Sequence, residues 1–175
     1  MSSEHNSPHN LERDAGTSVR DNKPDVANYG FVRPPWIYLA AIVVGVALQL
    51  LWPLHWLPAR AGVWIGVLLV LIAIALFIGA SRQFRLAGTP VPGNQRTTAI
   101  VQSGPYRFSR NPIYLAFSVV VLGLACWVNS LWLLVTLAAA VSIMGLIVIP
   151  REEHYLERRF GAAYLAYKTK VRRWL

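Results

Sequence analysis

Acid is scarce in this chain. Of 175 residues only 8 are Asp or Glu, against 17 Lys or Arg, and beyond Asp25 the acids are Glu152, Glu153 and Glu157 alone. Charged residues make up 14% of the whole and hydrophobic ones 55%. A soluble domain of this length needs more surface charge, so the composition points to an integral membrane protein. Cysteine is nearly missing too. Cys126 stands by itself in an apolar run, which excludes an internal disulfide and a cysteine-rich metal site. There is no G-x-G-x-x-G after a strand, hence no sign of a Rossmann dinucleotide site. Met1 to Pro34 lacks apolar periodicity and the apolar core of a signal peptide; it reads as a disordered cytosolic tail. The net charge of +9 does not imply nucleic acid. The basic residues form no groove-reading element and flank apolar segments, where anionic lipid headgroups account for them.

What the chain does have is long apolar runs. Four are predicted to cross the membrane: Trp36 to Trp52, Ala61 to Ala80, Pro112 to Val128 and Leu131 to Ile149. Each approaches the ~20 residues that span ~30 Å of hydrocarbon. Trp36, Trp52, Trp56, Trp127 and Trp132 lie at or near the ends of these runs, as interfacial anchors do. Pro53 and Pro58 break the first connection, and Asn129-Ser130 makes the second short turn. The expected class is an all-α membrane protein of about four transmembrane helices with a C-terminal amphipathic interfacial helix, residues 35–175 forming one domain. The loop from Ser81 to Asn111 carries Arg82, Arg85, Arg96, Arg107 and Arg110 and no acid. Seven more basic residues, from Arg151 to Arg173, follow the last run. The bias of positive charge toward the inner side predicts both termini and this loop in the cytosol, in a bacterial inner membrane.

Two stretches of polar residues are thereby expected on one membrane face. Gly88-Thr89-Pro90-Val91-Pro92-Gly93 breaks any helix, and a strand-like Ala99-Ile100-Val101 leads to Gly104-Pro105-Tyr106. Asn111 and Pro112 start the third helix, where asparagine suits the N-cap and proline the first turn. Asn111 reads equally well as a cap and as a site residue. Pro150 is expected to end the fourth helix. A new helix over about 151–173 then carries Leu156, Phe160, Tyr164, Tyr167, Val171 and Trp174 at spacings of three or four. Gly161 predicts a kink in it. Glutamates at its start are ordinary helix-dipole partners, or one of them turns inward to hold a cationic ligand.

Gly104-Pro105-Tyr106, Arg110-Asn111-Pro112-x-Tyr114, Glu152-Glu153-x-x-Leu156 and Phe160-Gly161-x-x-Tyr164-x-x-Tyr167 together resemble the isoprenylcysteine carboxyl methyltransferase family. The related phospholipid N-methyltransferases share the broad pattern. The resemblance covers roughly Gly88 to Val171 and implies a membrane enzyme that uses S-adenosylmethionine without a Rossmann domain. It implies a cofactor site made of Thr98, Ala99, Ile100, Val101, Tyr106, Asn111, Pro112, Ile113, Tyr114 and Glu152. Glu152 would take the cofactor's amino group. Arg110, Asn111 and Arg151 are the candidate catalytic residues. Many family members have histidine at the position of Asn111, and asparagine hydrogen-bonds but cannot shuttle a proton near neutral pH. In eukaryotic carboxyl methyltransferases an arginine near the position of Val148 holds the substrate carboxylate; the nearest here is Arg151.

Methyl transfer from a sulfonium is an in-line displacement that needs no metal. The protein must align donor and nucleophile and exclude water. The expected acceptor is lipophilic, with a carboxylate of the isoprenylcysteine type first and a phospholipid headgroup amine second. A non-catalytic protein that binds anionic lipid is the reading from another class.

Overall fold

The computed structural model describes residues 33–90 and 97–175. The tail expected over Met1 to Pro34 lies outside it except for its last two residues, as does the stretch from Val91 to Arg96. Among the described residues the fold is all-helical, with helix α1 at Pro34–Leu51, α2 at Ala59–Leu86, α3 at Pro112–Trp127 and α4 at Leu131–Ile143. A wide π turn at Met144–Val148 joins α4 without interruption to α5 at Ile149–Phe160, and α6 follows at Ala162–Lys170. Three of the helical stretches are long and apolar enough to cross a membrane, at 18, 27 and 30 residues, and α3 is a shorter apolar one. This is a helical membrane protein. Its outward faces carry Leu50, Leu51, Trp64, Leu71 and Leu146, all strongly exposed, as a surface facing lipid tails requires.

The helices pair α1 with α4 and α2 with α3, with α3 and α4 in contact between them. Small residues let the second pair come close. A Cβ added at Gly66 falls 2.6 Å from the Gly123 carbonyl, and one at Gly62 falls 2.6 Å from the Cys126 carbonyl. Gly62-x-x-x-Gly66 is thus the small-residue face on which α3 seats. The short connections meet at one end of the bundle. Asn129, at φ +51°, accepts from the backbone amides of Trp56 and Leu57 at 3.0 and 2.8 Å and donates to the Leu57 carbonyl at 2.6 Å. Ser130 caps α4 by accepting from the Leu133 amide and donates to Gln49 at 2.9 Å. The residues read from sequence as a turn therefore also clamp the first connection. Replacing Asn129 with Ala removes three hydrogen bonds and puts alanine in a left-handed conformation, so thermal unfolding should show a loss of about 2–3 kcal/mol.

Four expectations are corrected. The second helix does not stop at Ala80 but runs to Leu86, because Phe84 still has a core to face: it is buried and meets Tyr106 edge-on at 5.2 Å. Pro150 does not end the fourth helix. The π turn before it absorbs the missing amide, since Ile149 N–H bonds to the Met144 carbonyl five residues back, and α5 continues through the proline. The 30-residue stretch Leu131–Phe160 is about 45 Å long, so its charged end stands clear of ~30 Å of hydrocarbon. The expected C-terminal helix is in fact two, divided at Gly161 where φ is +51°. After α6 the helix ends at Val171, whose backbone is extended. Ala99-Ile100-Val101 forms no strand.

Candidate active site

At the end of the bundle opposite the short turns, the loop before α3 meets α5, α6 and the C-terminal residues. Between them lies a partly open cavity whose empty space, about 670 Å³, includes the solvent at its mouth. One wall is the segment Thr97 to Val101, from which Ala99, Ile100 and Val101 line the space. Thr98 does not line it but pins the segment, its amide donating to Thr89 Oγ1 at 2.9 Å. Arg159 Nε donates to the Thr97 carbonyl at 2.6 Å, tying the same segment to α5.

Tyr106 forms a second wall, on a short 3-10 turn at Gly104–Arg107. Gly104 makes the turn possible: its φ is +59°, and a Cβ there would meet the Gln83 side chain at 2.8 Å. Tyr167 donates its hydroxyl to the Tyr106 carbonyl at 2.7 Å, so α6 holds the turn in place. From the start of α3 come Ile113 and Tyr114, while Pro112 is buried behind them.

The acid pair is the centre of this site. Glu152 and Glu153 are both buried, 6% and 5% exposed, where an unsatisfied carboxylate is costly. Glu152 lines the cavity, and its Oε1 accepts the Tyr114 hydroxyl at 2.6 Å. Glu153 is matched by cations. Arg110 Nη1 lies 3.0 Å from it, Arg173 binds both its oxygens at 3.1 and 2.7 Å, and Lys168 stands at 3.9 Å. Lys168 is also bonded to Glu157 at 2.6 Å. The phenols outside the membrane helices stay protonated. Burial, reinforced by the neighbouring Glu153 carboxylate, pushes Tyr164 up to about 12, and burial raises Tyr106 and Tyr167 as well. They serve as donors and ring faces, not as bases. Removing the Tyr114 hydroxyl with Tyr114→Phe should leave Glu152 with one bond fewer and weaken ligand affinity about 5- to 20-fold by calorimetry.

Of the residues expected at a site, Ala99, Ile100, Val101, Tyr106, Arg110, Asn111, Ile113, Tyr114 and Glu152 share this one cavity. Arg151 does not join them: it is exposed, while Glu152 and Glu153 beside it are buried. Asn111 occupies the N-cap position of α3 but makes no capping bond with its side chain. That amide donates to the Arg173 carbonyl at 3.0 Å. The structure adds Phe84, Thr97, Glu153, Leu156, Tyr164 and Tyr167 to the lining. The aromatic spacing along the C-terminal segment was the signal for the two tyrosines.

A phospholipid methyltransferase family model matches residues 61–163, more than half of the chain and including the wall from Thr97, the start of α3 and the acid pair. The nickel-cobalt-cadmium resistance protein NccN of Alcaligenes xylosoxydans xylosoxydans is 36% identical over 66 residues, which are 38% of this chain and 31% of that protein. An uncharacterized protein of Haemophilus influenzae is 43% identical over 65 residues, 36% of this chain and all of the other. The chain thus spans about a third of the first relative's length. No solved structure matches it. An all-helical membrane fold with a buried acid pair beneath a family match of this extent leads to one conclusion: the chain belongs to the phospholipid methyltransferase family.

Proposed function

We propose that this protein transfers a methyl group from S-adenosylmethionine to a lipophilic acceptor at the membrane surface. The observation that carries the reading is Glu152, a buried carboxylate set in a cavity wall and oriented by Tyr114, in a chain of a methyltransferase family. The cavity suits such a donor. It offers a carboxylate for an ammonium group, aromatic rings at Tyr106, Tyr164 and Tyr167, and the backbone of Ala99 to Val101. It also holds Arg110 Nε and Thr97 Oγ1, buried polar atoms with no hydrogen-bond partner among the described residues, which can serve an anionic group and a hydroxyl. S-adenosylmethionine, when bound, supplies the electrophilic methyl on its sulfonium. The protein's own part is placement. Glu152 holds the ammonium end, the tyrosine rings face a cation, and the apolar walls exclude water.

Arg110 favours a carboxylate acceptor of the isoprenylcysteine type, because its guanidinium lines the cavity with a donor to spare. A carboxylate also attacks without losing a proton, and the protonated tyrosines and the engaged Asn111 amide offer no base for an ammonium. The family's description supports the second reading, a phospholipid headgroup amine. Both place the loop, the site and the two termini on the cytosolic face.

Binding of the donor is the direct test. Titration of the purified protein with S-adenosylhomocysteine should give saturable heat at one site per chain, and no heat up to millimolar ligand would remove the enzyme reading. The two acceptors differ in the product. Labelled methyl on a carboxylate is an ester that mild base releases as methanol, whereas a methylated amine keeps its label.

A further inference from the structure

The wide turn at Met144–Val148 has a carbonyl left over. In an α-helix Gly145 O would accept from the amide of Ile149, but that amide goes to Met144. In the π register its partner would be residue 150, which is proline and has no N–H. Gly145 is half-buried, and a carbonyl screened from water without a donor is costly. The donor comes from the other end of the chain: Arg173 Nη1 reaches Gly145 O at 3.3 Å.

The same guanidinium grips Glu153 with its two other nitrogens, Nε at 3.1 Å and Nη2 at 2.7 Å. Its backbone is fixed from below. The Arg173 carbonyl accepts from Asn111 Nδ2 at 3.0 Å and Ser109 Oγ at 3.3 Å, and the Arg172 carbonyl accepts from the Arg110 amide at 3.0 Å. Trp174 packs against the core. One C-terminal segment is thereby stapled both to the loop that enters α3 and to the turn that enters α5.

The turn decides which residue faces the cavity. An α-helix advances ~100° per residue, and a π turn takes one residue more to close, so everything beyond it lags by about one position. With the turn in place, Glu152 and Glu153 are buried and Arg151 is exposed. Relaxed to a regular α-helix, α5 would carry Arg151 to the direction Glu152 now holds and put a cation where a carboxylate stands.

We propose that Arg173 is a positioning residue that locks this π turn and so keeps Glu152, rather than Arg151, in the cavity. The lock rests on geometry; its bearing on catalysis rests on the site reading given above. Pro150 works with it, since a proline opposes the straight helix and leaves Gly145 O dependent on the arginine. Lysine is no substitute at this position, because a single ammonium cannot bridge two carboxylate oxygens and a carbonyl as a planar fork does.

The test follows the register itself. In full-length protein carrying Arg151→Cys, the new thiol should react readily with a water-soluble maleimide, while buried Cys126 stays silent in the parent chain. Adding Arg173→Ala should slow that labelling about tenfold as the thiol turns inward. With Arg151 intact, Arg173→Ala should weaken S-adenosylhomocysteine binding about tenfold or more. Arg173→Lys should move both readings in the same direction, and it serves where the alanine variant does not yield monodisperse protein. Labelling that stays within twofold of the parent in both variants would overturn the lock. Slowed labelling in a protein whose parent binds no S-adenosylhomocysteine would uphold the lock and defeat the cofactor reading instead.

Discussion

Glu152→Gln is expected to raise the dissociation constant for S-adenosylhomocysteine by about 30- to 1000-fold, the cost of about 2–4 kcal/mol for removing the charge that a buried ammonium needs. Glutamine keeps the size of the side chain and an oxygen for the Tyr114 hydroxyl, whose bond to Glu152 is 2.6 Å long. The expected loss is therefore one of charge, with packing held nearly constant. Glu157 is the control. It lies on the same helix, and its carboxyl is held below the usual range by its bond to Lys168. That pair is open to solvent and worth little, so Glu157→Ala should change affinity by less than about threefold. Calorimetry on the three proteins decides the matter, and equal losses from both substitutions would show that Glu152 is not the ligand.

Gly66→Val should destabilise the bundle strongly. A Cβ on Gly66 would lie 2.6 Å from the Gly123 carbonyl and 2.6 Å from the Trp127 amide nitrogen. Both are backbone atoms of α3, so no rotamer change relieves the clash. The helices must separate, and overpacking of this kind costs about 1–3 kcal/mol or more. The pair α2 and α3 forms the most extensive interface of the bundle, so that loss falls where the fold has most to lose. Yield after detergent extraction and the thermal unfolding midpoint should both fall clearly. Gly79 offers the comparison, because a Cβ there meets nothing nearer than Pro105 at 3.5 Å; Gly79→Ala should extract and unfold like the parent.

Much of this was written in the residues themselves. Apolar runs gave the four helices, since in a bilayer length and hydropathy decide what spans. Asn129-Ser130 and Gly161 marked real breaks because each answers a local backbone need. The motif residues from Ala99 to Tyr114 and Glu152 converge on one cavity although some forty residues separate the two groups. What escaped the sequence depends on partners far along the chain. Pro150 looks like a stop signal, and only a donor 23 positions later, at Arg173, lets the helix run through it. Asn111 looks like a cap, yet its amide is drawn to a carbonyl of the C-terminal segment. Gly62 and Gly66 carry the familiar small-residue spacing, but their partner Gly123 is visible only once α3 is placed. Arg151 sits beside the glutamates in sequence, and the phase of α5 turns it away from them.

The reaction proposed for the cavity around Glu152 is methyl transfer to a lipophilic acceptor. It is tested most directly by incubating the purified full-length protein with methyl-labelled S-adenosylmethionine and a bacterial membrane lipid extract, then following label in the organic phase. Label should rise with time in the parent protein, stay at background in Glu152→Gln, and be released as methanol by mild base. Label at background in the parent as well, from protein shown to be folded and monodisperse, would contradict it.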